Sequence, residues 1–211
     1  MTITQDREER RINPVAAFEL RDVEVIGKGT KFDQFSGIAV PYGVPTNIGW
    51  FDEEFKRGAL KKSIAEAARS LPLLAFHDAA SLPIGVAKEW HEESAGLRGV
   101  WKLEQDERSQ QLARMAQPDE DGHAAMGYMS VRFIPMQSSW TYAQPGSNTR
   151  DYVLRTEARL VEVSLVSTPA YAGAHVQWVR TADPALRSEA RGSRLRGYEE
   201  MLDKLRAGPQ L

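Results

Sequence analysis

Cysteine is absent from this chain of 211 residues. That absence removes disulfides, thiolate metal sites and cysteine nucleophiles together, and it agrees with a reducing compartment. No apolar run approaches the roughly 18 residues that a membrane-spanning helix requires. The opening stretch MTITQDREERR lacks the apolar centre of a secretory signal. An excess of one charge is also missing: 27 Lys and Arg face 29 Asp and Glu, a formal net charge of -2. No strong overall field therefore points to nucleic acid or to an anionic membrane. Internal repeats and low-complexity tracts are lacking as well. The expectation is a soluble intracellular protein, with neither nucleic acid nor membrane as a partner.

What is present is ordinary globular composition, 42% hydrophobic and 27% charged. The length suits one domain with tails. Residues 1–13 are polar and charged and read as a flexible N-terminal arm. Residues 14–180 read as the folded body, and 181–211 as a linker with an amphipathic C-terminal helix. That helix carries Leu195, Tyr198, Leu202 and Leu205 on one stripe. It suits either docking on its own domain or binding a partner.

Within the body, β signals dominate. FELRDVEVIG and FSGIAVPYG read as short strands. GALKKSIAEAARS changes to helical spacing, with Leu60, Ile64, Ala67 and Ala68 in phase, and predicts a helix over 58–70. LPLLAFHD reads as a strand ending at His77. IGVAKEWHEESAGLRGVWKLE reads as two strands joined around Ser94–Gly96. DERSQQLARMAQ predicts a second helix with Leu112 and Met115 on one side. GYMSVRFIPM reads as a strand, SSWTYAQPGSNTRDY as an exposed loop, and VLRTEARLVEVSLVS as a long strand. The whole predicts an α+β fold, mainly an antiparallel β-barrel surrounded by a few helices.

Three polar residues stand out on three strands. In LPLLAFHD, alternation puts Leu73, Ala75 and His77 on one face, with His77 where the strand leaves the core. In GYMSVRFIPM, Tyr128, Ser130 and Arg132 share one face and Met129, Val131 and Phe133 the other. No G-x-S-x-G elbow surrounds Ser130, which disfavours an α/β-hydrolase. In LVEVSLV, alternation puts Glu162 with Leu160, Ser164 and Val166, and Val161, Val163 and Leu165 opposite. Apolar residues on both faces predict a strand buried on both sides. A buried carboxylate costs several kcal/mol unless it is paired, and His77 is the candidate partner. Each residue also has a plain structural reading: a satisfied core histidine, a serine on a polar strand face, a carboxylate at a sheet edge. The histidines His77, His91, His123 and His175 show no i, i+4 pair, so zinc has weak support.

AFHDAASLPIG, GYMSVRF and LVEVSLVSTPAY, in that order and spacing, resemble the three motif blocks of the caudovirus (tailed-phage) prohead protease family. FDEEFKRGAL, a strand end entering a helix, resembles it too. The likeness runs from about Phe35 to Ala172. The third block is the most specific, and the serine block the least. The family often carries a Gly just after the serine, where this chain has Val131 and Arg132.

The resemblance implies a serine endopeptidase with the fold of the herpesvirus assemblins. It implies a catalytic set of His77, Ser130 and Glu162, with no cofactor and no metal. Ser130 would attack, His77 would serve as general base, and Glu162 would hold the other ring nitrogen. The turn around Ser167–Tyr171 is a candidate source of oxyanion donors. Arg132 suits either an orienting role or plain solvation. The implied substrates are the major capsid protein, the scaffold protein and the protease itself, cut inside the assembling prohead in the host cytoplasm. Assemblins dimerise to become active, so a homodimer is one option. Two rival readings remain: a non-catalytic capsid assembly or scaffolding module, and a metal hydrolase using His77, Asp78, His91 or His123.

Overall fold

The first strand, β1 (Phe32–Pro41), is buried along nearly its whole length, which requires neighbours on both edges and cover on both faces. It has them: β6 (Gly96–Leu103) pairs antiparallel on one side and β9 (Val176–Thr181) on the other. The structure, a computed structural model, describes residues 31–66, 71–117, 119 and 123–181. The N-terminal arm, the strand expected at FELRDVEVIG, the end of the first helix (67–70) and the C-terminal helix lie outside the described residues. No described helix is long and apolar enough to cross a membrane.

The remaining strands are β2 (Thr46–Asn47), β3 (Phe51–Phe55), β4 (Pro72–Ala75), β5 (Gly85–Glu92), β7 (Tyr128–Thr141) and β8 (Asp151–Val166). All of the described strands join one sheet in the order β2-β3-β8-β4-β5-β6-β1-β9, with β7 paired to β8. The sheet curls until the start of β7 meets the start of β9. There Tyr128 bridges His175, and Met129 N–H donates to Ala174 O at 3.0 Å. At this seam a Cβ on Gly37 would strike His175 O and the Met129 sulfur, so only glycine fits.

The expected antiparallel barrel holds in part. β1–β6, β1–β9, β5–β6 and β7–β8 are antiparallel, but β3 and β4 both join β8 in parallel. The sheet is therefore mixed. The reason lies in the length of β8: β3 pairs with Asp151–Arg155 and β4 with Val163–Leu165 along one edge, while β7 runs along the other.

The core fills the inside of the curl, with Phe32, Phe35, Leu73, Leu97, Trp101, Met129 and Val163 fully enclosed. Each such side chain contributes about 1.5–3 kcal/mol by leaving water. Trp101 packs edge-on against Phe35 and Trp90, with ring centroids at 5.7 and 5.3 Å.

Among the described residues, two helices flank the sheet. α1 (Lys61–Glu66) follows β3, as FDEEFKRGAL predicts, and buries Ser63, whose hydroxyl accepts from Leu160 N–H on β8. α2 (Glu107–Ala116) starts at Asp106, whose carboxylate accepts from Ser109 N–H at 3.1 Å. Leu112 is buried on α2, but Met115 is partly exposed, so the expected Leu112–Met115 face is narrower than the spacing implied.

The stretch SSWTYAQPGSNTRDY is not wholly a loop. β7 continues to Thr141 and β8 starts at Asp151, leaving 142–150 as the connection. Tertiary pairing overrides the turn-forming composition here. Ser138 to Thr141 pair with residues of β8, and Trp140 stacks between Trp50 and Tyr142 at 6.3 and 6.0 Å.

Candidate active site

Strand β4 stops at Ala75, two residues short of the expected end. Phe76 and His77 both adopt left-handed backbone, at φ 57° and 58°. For residues with a Cβ this conformation costs on the order of 1–3 kcal/mol each, and it persists only where the surroundings enforce it. The surroundings here are β8. Phe76 N–H donates to Leu165 O at 3.0 Å, and His77 N–H donates to the Ser164 hydroxyl at 3.1 Å. The turn is closed by Asp78 N–H to Ala75 O, and the Asp78 carboxylate accepts from Ala80 N–H. Because the strand ends early, Phe76 points outward instead of joining Leu74 on a buried face.

Glu162 sits on the neighbouring strand and is buried, with 3% of its surface exposed. Its Oε1 contacts His77 Nδ1 and accepts from the Ser164 hydroxyl at 3.2 Å. Its Oε2 pairs with the Arg132 guanidinium from β7. Burial pushes the carboxyl up, but hydrogen bonds from Arg132 and His77, with their charges, outweigh it and hold the group below its ordinary value. Glu162 is therefore ionised near neutral pH. A neutral His77 that meets this carboxylate through Nδ1 carries its proton there and presents Nε2 as the acceptor. The His77 side chain is 38% exposed.

Strand pairing brings Ser130 to the same place. Ser130 lies directly opposite Ser164 in the ladder, and Arg132 directly opposite Glu162. Directly opposed side chains emerge on one face with Cβ atoms about 4.5–5.5 Å apart. Ser130, Arg132, Glu162 and Ser164 thus share one face of the β7–β8 pair, and His77 is tied to two of them. Ser130 is itself buried, at 6% exposure. Its hydroxyl makes no hydrogen bond to the His77 ring among the described residues. An open cleft of about 410 Å³ is walled by His77, Val131, Arg132 and Phe133, with Ser130 outside its lining.

A bulge corrects the expected alternation of β8. Arg132 opposes Glu162, but Phe133 opposes Leu160, so Val161 has no partner across the ladder. Leu160 consequently turns into the core with Val163 and Leu165, and Val161 is half exposed. Glu162, Ser164 and Val166 occupy the other face, also buried, so β8 is enclosed on both sides as expected.

The buried Tyr171 hydroxyl donates to Glu53, which also pairs with Arg155, and so anchors the turn whose backbone N–H groups are the expected oxyanion donors. His91 contacts Glu89 at 3.2 Å, and His123 lies 3.9 Å from Asp119. Among the described residues, no three His, Asp or Glu side chains cluster so as to hold a metal ion. Sequence reasoning leaves Arg132 undecided and does not single out Ser164. A signal for Ser164 is nonetheless present: two polar residues, two positions apart, on one face of an otherwise apolar strand.

A family model described as caudovirus prohead serine protease matches residues 16–187, well over half of the chain. The chain belongs to that family. No curated protein matches it. Among solved structures, a Kaposi's sarcoma herpesvirus (KSHV) protease bound to a hexapeptide phosphonate inhibitor matches at 10% identity with a TM-score of 0.38. The match covers 69% of this chain and 64% of that one, so this chain spans less than two thirds of that protease. At that level the likeness carries no argument about mechanism.

Proposed function

We propose that this member of the prohead serine protease family is an endopeptidase with Ser130 as nucleophile, His77 as general base and Glu162 as the group that holds the base. The observation that carries the reading is the contact between His77 Nδ1 and the buried, ionised Glu162. It fixes the tautomer that leaves Nε2 to take a proton, which a serine hydroxyl needs in order to attack near neutral pH.

In the proposed reaction Nε2 removes the Ser130 proton as the oxygen adds to the scissile carbonyl. The imidazolium, stabilised by Glu162, then gives that proton to the departing amine. Water repeats the sequence to release the acyl group. Forming this geometry requires the Ser130 hydroxyl to swing toward the ring. Catalytic hydrogen bonds are often loose before substrate binds. The cleft walled by His77 and Arg132 is where a substrate chain would lie.

The proposed substrates are the scaffold protein or a scaffolding segment of the major capsid protein, cut inside the prohead. The flanking segments 1–13 and 181–211 are the proposed sites of self-cleavage. Co-expression with the capsid and scaffold proteins tests this. Ser130→Ala should abolish processing while the purified protein keeps its melting temperature. Unchanged processing would overturn the assignment of the nucleophile, and would favour a non-catalytic assembly module if the wild type also cuts nothing.

A further inference from the structure

We infer that Ser164 is a positioning residue for this reaction, locking the turn that bears the base to the strand that bears the acid. The inference rests on the protease reading above. Ser164 has no exposed surface at all. A buried hydroxyl is unfavourable unless it is hydrogen-bonded, and an alanine would fill the same strand position without that requirement. The hydroxyl is used twice. It accepts the His77 backbone N–H at 3.1 Å and donates to Glu162 Oε1 at 3.2 Å.

Its place in the sheet explains why one residue can do both. Ser164 pairs with Leu74 of β4 on one side and with Ser130 of β7 on the other. It therefore sits one step from the end of the strand that leads to His77, two residues from Glu162, and directly across from Ser130. β4 ends at Ala75, so no ladder bond reaches the His77 N–H, and the Ser164 hydroxyl takes its place. Without it, the left-handed turn at Phe76–His77 keeps the tie from Phe76 to Leu165 but loses the one at the histidine itself. The ring would then be free to drift from Glu162, and Glu162 would lose a donor. Ser164 touches no reacting atom; its effect passes through His77 and Glu162.

The test uses a fluorophosphonate probe, which phosphonylates an activated serine by displacing fluoride. The labelled residue is located by mass spectrometry, and kinact and KI are measured per folded protein. Wild type is expected to label at Ser130. Ser164→Ala is expected to lower kinact by about tenfold to a hundredfold, the scale for a misplaced catalytic group, with KI unchanged. A merely structural role would lower the folded fraction and leave kinact per folded protein alone. Ser164→Cys, which keeps a weak donor and acceptor of similar size, should recover part of the rate. It also serves if the alanine variant fails to fold. Kinact within twofold of wild type for Ser164→Ala, or for Ser164→Cys where the alanine variant does not fold, would overturn the positioning role while leaving the protease reading intact. A wild type unlabelled at Ser130 would overturn both.

Discussion

His77 and Glu162 stand 85 residues apart in the chain, yet the ring nitrogen of one is bonded to the buried carboxylate of the other. The two meet because β4 and β8 run in parallel, so that the turn leaving β4 falls beside the last third of β8. The carboxylate is further bridged to Arg132, which gives each of its oxygens a cationic or polar partner. This arrangement resolves the cost of burying the charge: both oxygens of Glu162 are occupied.

Glu162→Gln should keep the fold and remove most of the proteolysis. An amide can present its oxygen to Arg132 or to His77, but it cannot accept from both. Turned toward Arg132, it offers N–H to the ring and selects the wrong tautomer. Loss of cleavage on the order of ten-thousandfold is the scale of such a change in a serine triad. Densitometry of capsid-protein processing measures it, and a loss below tenfold would count against Glu162 as the holding group.

Stability should depend on pH through the same carboxylate. Its folded value lies below the ordinary 4.5, since the partners' effect exceeds that of burial. A depressed carboxylate contributes stability above its unfolded value and loses that contribution as pH falls through the lower folded value. Melting temperatures of wild type and Glu162→Gln from pH 7 to pH 3 should therefore differ most near neutrality. The gap should narrow once pH passes below about 4.5, the ordinary value taken for the unfolded chain. A gap independent of pH would contradict the ion pair.

The left-handed turn predicts an order among substitutions at Phe76. This side chain is mostly exposed, so little packing is lost by changing it. Asparagine tolerates the left-handed region, whereas a β-branched residue is strained there. Phe76→Val should be less stable than Phe76→Asn by about 1–2 kcal/mol in urea denaturation. Equal stabilities would mean that the turn relaxes to a conventional backbone in solution.

Much of the site is legible in the order of the amino acids. The apolar run around Glu162 announces a strand enclosed on both faces, because a strand with one wet face alternates apolar with polar residues. The serine strand and the two flanking helices are also readable, since their periodicity is set by local backbone geometry. SSWTYAQPGSNTRDY reads as a loop but is one only in its middle. Its composition favours turns, while cross-strand pairing and stacked aromatics impose strand on both ends.

What the amino-acid order determined by itself was therefore the set of elements, the polar residues on them and the need of Glu162 for a partner. Tertiary structure alone decided three things. It set the parallel joining of β4 to β8, which no local pattern encodes. It placed the bulge at Val161, which shifts Leu160 into the core and leaves Glu162 facing Arg132. And it bent His77 into a left-handed turn held by Ser164. Local sterics fix the period of a strand, but pairing partners, register and strained turns depend on contacts between distant segments, and those exist only once the sheet has curled.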